Sequence, residues 1–79
     1  MIARVHVTIK RDVLDPQGEA VAGALRSLGY AEVAGVRVGK LIEIDLGATP
    51  PEDARERVDQ MCRKLLANLV IEDYRFEID

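Results

Sequence analysis

The stretch Val36 to Leu46, VRVGKLIEIDL, carries an apolar residue at every even position except Lys40. Alternation of period two marks a strand with one buried face, so this run constrains the fold more than any other segment. A two-residue turn at Gly39-Lys40 would set Val36 against Glu43 and Arg37 against Ile42, mixing the two faces. A three-residue loop, Gly39-Lys40-Leu41, would instead pair Val38 with Ile42 and Val36 with Ile44 on the buried face, and Arg37 with Glu43 on the other. The remaining arrangement is one continuous strand of about fourteen residues, which at ~3.3 Å per residue reaches beyond so small a domain and pairs with a second subunit. In either case the glycine is a turning or bending position.

Gly39-Lys40 could also be read as a phosphate-binding device. That chemistry needs several backbone N–H groups converging beside a lysine at a helix start, as in G-x-x-x-x-G-K-[ST]. Here the lysine is followed by LIEIDL, which reads as a strand. The plain backbone turn outweighs a nucleotide site, and Lys40 is left as a candidate contact to a partner's acid or to a phosphate in a subunit cleft.

The flanking segments have equally plain periods. In IARVHVTIK, Ala3, Val5, Val7 and Ile9 share one face, and Arg4, His6, Thr8 and Lys10 the other. Asp15 is a helix N-cap with Pro16 at the first helical position; Val21, Leu25 and Leu28 form one stripe, and Gly29 ends the helix. A second helix follows Thr49, three residues before Glu52 as in a capping box, with Ala54, Val58, Met61 and Leu65 as its inner stripe, Cys62 and Leu66 beside it, and Asn68 at its end. The tail VIEDYRFEID alternates again, with Val70, Tyr74, Phe76 and Ile78 of one parity and Asp73, Arg75 and Glu77 of the other. Strand, helix, strand thus occurs twice. The expected class is α+β, a small antiparallel sheet of three long or four strands in β-α-β-(β)-α-β order with two helices packed on one face. Residues 1–79 make a single domain.

A chain of 79 residues buries only about 60–65% of its unfolded surface. Its single cysteine forms no internal disulfide and no cysteine-cluster metal site, so association with a partner is the remaining way to add buried area. A net charge of −3 with interleaved acids and bases argues against nucleic acid, and no run is long and apolar enough to span a membrane. The N-terminus opens directly as a strand, without the pattern of a signal peptide, which makes the cytoplasm the expected compartment.

Residues able to do chemistry are scarce. His6 is a lone imidazole on the outer face of a strand, expected to be solvated or at an interface. Cys62 beside a helix's inner stripe reads as an inert buried thiol. Glu52, Asp53 and Glu56 suit a helix's first turn, where the dipole favours negative charge. No catalytic, cofactor-binding or metal-binding set is expected.

Taken together, LDPQGEAVAGALRSLGY, VRVGKLIEIDL and MCRKLLANLVIEDYRFEID resemble the PurS family, the small subunit of phosphoribosylformylglycinamidine (FGAM) synthase. The likeness rests on Leu14 to Gly18, Val36 to Glu43, and Asn68 with Val70 to Phe76. Leu69 stands where the family typically has proline. The resemblance implies a complex that converts formylglycinamide ribonucleotide to the amidine with ATP, Mg and glutamine. The synthetase subunit PurL and the glutaminase subunit PurQ carry the chemistry, and this chain bridges them and assists ammonia transfer without binding a cofactor. It also fits self-association as a homodimer or dimer of dimers. Arg37, Lys40, Glu43, Tyr74 and Arg75 are the interface candidates. The alternative is a stand-alone module that senses a small metabolite at a dimer interface.

Overall fold

The alternating N-terminal segment forms β1 (Ile2–Ile9), the central strand of an antiparallel sheet in a computed structural model that describes residues 1–79. After it come α1 (Pro16–Ser27), β2 (Gly39–Asp45), α2 (Pro51–Met61) with a π-helical continuation over Cys62–Leu66, and β3 (Glu72–Ile78). The strand order is β2-β1-β3, and both neighbours run antiparallel to β1. The α+β class is therefore the expected one, with three strands.

Period two decides which side chains are buried. Ala3, Val5 and Val7 are shut away from solvent, and α2 covers them with Ala54, Val58 and Cys62. Leu46 and Ala67 close the ends of this core, and Ile42, Ile44, Phe76 and Ile78 pack around it. The opposite face of the sheet carries no helix.

Of the two arrangements open at Gly39-Lys40-Leu41, the three-residue loop does not form. β2 pairs with β1 without interruption from Gly39, opposite Thr8, to Asp45, opposite Ile2. Gly39 is demanded by close approach instead of a turn: a Cβ there would stand 2.5 Å from the Val7 carbonyl oxygen and 2.8 Å from Thr8 Cγ2. The chain continues in one direction through the glycine, as in the continuous arrangement, but only the part from Gly39 onward is laddered.

Residues 33–38 leave the sheet and run back along α1. A Cβ on Gly18 would lie 2.2 Å from the Val36 carbonyl oxygen. Arg26 donates from Nε to the Val33 carbonyl at 2.9 Å and from Nη2 to that of Ala34 at 3.1 Å. Helix α1 contributes no residue to the cluster on the sheet, which α2 covers; its buried Ala22 lies outside that cluster. Val21 on α1 is exposed, as are Leu14 just before the helix and Leu28 at its C-cap. The molecule is accordingly long, 49 × 24 × 14 Å with a radius of gyration of 16.0 Å. A compact domain of this length has roughly 12 Å.

Three local expectations are also corrected. Thr49 caps nothing at the start of α2. Its hydroxyl donates back to the Leu46 carbonyl at 2.6 Å, and the helix begins after Pro50 without a side-chain cap. Leu65 lies outside the inner stripe and is 83% exposed. The wider π-helical turn advances the register by a residue, so Cys62 and Ala67 point inward and Leu65 outward. Val70 sits in the turn before β3 and is exposed. The first helix follows expectation, with Asp15 Oδ1 accepting the Gly18 N–H at 2.9 Å and Gly29 in the left-handed region at φ 103°.

Candidate functional site

Two surfaces offer polar groups. The open face of the sheet is built in cross-strand rows, with Arg4 between Glu43 and Glu77, His6 between Leu41 and Arg75, and Thr8 between Gly39 and Asp73. Because Gly39 has no side chain, a shallow depression of about 400 Å³ opens there, bordered by His6, Thr8, Leu41, Asp73 and Arg75.

The charges on this face answer one another. Arg4 meets Asp79 at 2.8 Å, His6 meets Glu77 at 3.1 Å, Lys10 meets Asp73 at 3.4 Å and Arg75 meets Glu77 at 3.8 Å. The hydrogen bond from Arg4 holds the Asp79 carboxyl below the usual carboxylate range, and that from His6 does the same for Glu77. Such pairs satisfy one another across the strands and supply no activated nucleophile. No three metal-binding side chains converge anywhere in the chain.

The second cluster joins α2 to β3. The Tyr74 hydroxyl donates to Asp59 Oδ1, and Arg63 Nε donates to Asp59 Oδ2 at 2.8 Å. The bond from Tyr74, and then that from Arg63, pulls the Asp59 carboxyl down, while the same carboxylate pushes the Tyr74 phenol up. On the neighbouring turn, burial pushes the Cys62 thiol up, away from the thiolate that a nucleophile requires.

The five interface candidates are dispersed. Arg37 is spent inside the chain: its guanidinium donates to the carbonyls of Ile9 at 2.8 Å, Lys10, and Val13 at 3.5 Å. Lys40, opposite Val7, makes no hydrogen bond or ion pair within the chain and borders a recess with Gln17, Val38 and Glu72. Glu43 lies beside Arg4 on the open face. Tyr74 points to the helix side, and Arg75, on the open face, is largely exposed.

One residue that the sequence reading passed over, and one that it read only in part, hold these surfaces in place. Asp59 was detectable as the partner of Arg63, four residues on along one helix face. Asp15 was seen only as a cap, yet its Oδ2 also accepts the Val38 N–H at 2.7 Å. Nothing local announces that bond.

Comparison with known proteins gives these surfaces a context. Residues 2–79 match the family model described as PurS, phosphoribosylformylglycinamidine (FGAM) synthase. The PurS subunit of Synechocystis is 51% identical over 75 residues, covering 95% of this chain and 75% of that one. Among solved structures, Bacillus subtilis PurS superposes with a TM-score of 0.88 at 49% identity, over 99% of this chain and 96% of that one. A chain of the PurLQS structure from Thermotoga maritima superposes with a TM-score of 0.82 at 32% identity, over 98% and 96% of the two chains. The protein belongs to the PurS family of FGAM synthase subunits.

Proposed function

We propose that this chain is the non-catalytic joint of an FGAM synthase. It docks a PurL-type synthetase subunit and a PurQ-type glutaminase subunit, and it assists the passage of ammonia between them. ATP, Mg and glutamine are bound by those larger subunits, which convert formylglycinamide ribonucleotide to the amidine. The single observation that carries this reading is the likeness, along nearly the whole chain, to a chain of a PurLQS assembly. The surfaces agree with it: charges on the open face are paired with one another, and Arg37, Glu43 and Arg75 lack the nucleophile and base that turnover requires.

The chain also associates with itself, as a homodimer or dimer of dimers, and works in the cytoplasm. Support for self-association comes from the elongated shape and the uncovered apolar side of α1. No relative reported above is a stand-alone metabolite sensor.

Reconstitution tests the reading. Glutamine-dependent amidine formation by PurL and PurQ subunits should require this chain, and the chain mixed alone with ATP, glutamine and substrate should make no product. Full glutamine-dependent activity without it would overturn the proposal. Lys40→Ala should weaken assembly or ammonia coupling without unfolding the chain.

A further inference from the structure

We infer that residues 65–71 form an apolar docking tip that inserts into a carboxylate-edged pocket of the PurL-type synthetase subunit. The inference rests on the docking role proposed above and assigns it a surface.

Exposed apolar side chains are the starting point. Leu65, Leu69, Val70 and Ile71 all meet solvent, Leu65 to 83% and Val70 to 81%. They fall within seven consecutive residues, where the end of the second helix gives way to β3. Apolar residues scattered singly over a surface are ordinary, whereas several gathered on one turn mark an interaction site.

The helix gives up its own period to expose Leu65. Val58 stands seven positions earlier on the inner stripe, so a regular α-helix would turn Leu65 inward as well. The π-helical turn over Cys62–Leu66, closed by the Ala67 N–H on the Cys62 carbonyl at 3.0 Å, hands the inner place to Ala67 and turns Leu65 out. Such turns are rare in proteins and recur at functional sites.

The tip is also preformed. The Asn68 N–H donates to Glu72 Oε1 at 2.7 Å and the Val70 N–H to Asn68 Oδ1 at 3.1 Å. The N–H groups of Ile71 and Glu72 both reach the Asn68 carbonyl, at 3.1 and 2.7 Å, and the Ile71 carbonyl accepts the Lys10 N–H at 2.9 Å, pinning the turn to the end of β1. A partner therefore meets a fixed shape, and little ordering entropy is lost when it binds.

Charge and area choose the occupant. Arg63 is held by Asp59, whereas Lys64, beside Leu65, makes no hydrogen bond or ion pair within the chain. A pocket that accepts Leu65 is complementary when it sets a carboxylate next to Lys64. Two tips meeting each other would instead oppose their lysines. Four such side chains also cover only on the order of a few hundred Å², against the roughly 800 Å² per partner of a stable interface. The tip is thus one anchor within a wider contact on a larger protein. Of the two larger subunits, the synthetase consumes the ammonia, so a joint fixed there keeps delivery aligned with the acceptor through repeated turnovers. An apolar anchor suits a lasting contact of that kind.

Charged substitutions on the tip test the assignment. Isolated Leu65→Asp and Val70→Asp chains should keep the wild-type urea midpoint and light-scattering mass, because both side chains lie outside the core. Their binding to the PurL-type subunit should weaken by about tenfold or more, since a carboxylate then enters an apolar pocket. Lys64→Glu should weaken it too, by a factor that shrinks as salt rises. Gln60→Asp, on the exposed side of α2, should bind as the wild type does. Wild-type affinity of both tip variants for the synthetase subunit, or loss of the PurQ-type subunit alone, would overturn the assignment. A changed mass of the isolated variants would also overturn it, by placing the tip between copies. Failure of the unmodified chain to bind either larger subunit would overturn the docking role itself.

Discussion

Asp15 and Val38, twenty-three residues apart in sequence, are joined by a 2.7 Å hydrogen bond from the Val38 N–H to Asp15 Oδ2. The other oxygen of the same carboxylate caps α1 at Gly18. One buried side chain therefore sets the direction in which the arm leaves the sheet.

Those two backbone donors, Val38 first, hold the Asp15 carboxyl below its ordinary value. A depressed folded pKa means that the native state binds the proton less tightly than the unfolded chain. The contribution is fully present above the unfolded value of about 3.9 and is lost as pH falls through the folded value. Asp59, Asp79 and Glu77 carry the same sign. The thermal midpoint is expected to vary little from neutral pH to about pH 5 and to drop below about pH 4. Asp15→Ala should have a lower midpoint at pH 7 and a shallower acid-side drop, and an equally steep drop would show that Asp15 is not among the groups responsible.

Two glycines of α1 should respond oppositely to alanine. At Gly23 a Cβ meets nothing within 4 Å, so Gly23→Ala should stabilise the helix by about 0.5–1 kcal/mol. At Gly18 a Cβ would lie 2.2 Å from a backbone oxygen that cannot swing away, so Gly18→Ala should displace residues 33–38 and lower the midpoint. Urea titration of both variants checks the pair; equal behaviour would remove the contact with Val36.

Val58 and Leu65 share a predicted stripe but not a fate. Val58→Ala should cost roughly 1.5–3 kcal/mol, from lost burial plus a cavity. Leu65→Ala should cost less than about 0.5 kcal/mol in the dissociated chain. A concentration-dependent loss at Leu65 would place that side chain under a partner.

Cys62 is fully buried, with its thiol pushed up by burial. A disulfide reagent should modify it only as fast as the chain opens, with the rate rising in step with added denaturant. Rapid labelling of the folded chain would contradict this packing.

Much of the fold was legible because strand parity records which face is covered. Ala3, Val5 and Val7 were read correctly from alternation alone, as was the Asp15 cap from Asp-Pro at a helix start. The misses share a cause. Gly39 looked like a turn because its real constraint, the Val7 carbonyl across the ladder, belongs to a strand thirty-two residues away. Leu65 fell outside its stripe because a π-helical turn changes the period within the helix, and the 3.6-residue rule contains no sign of that. The five interface candidates were legible as charged or aromatic residues in matching segments, but Arg37's engagement with three carbonyls depends on a loop that pattern does not place.

By itself the sequence determined the class of the chain, the buried faces of its strands and its family, since all three follow from local periods and residue identities. Tertiary structure decided that α1 stands away from its own sheet and that β2 runs straight through Gly39. The physical reason is that an apolar stripe records the need for cover, whereas the source of that cover depends on backbone hydrogen bonds such as Asp15 to Val38, made between distant residues.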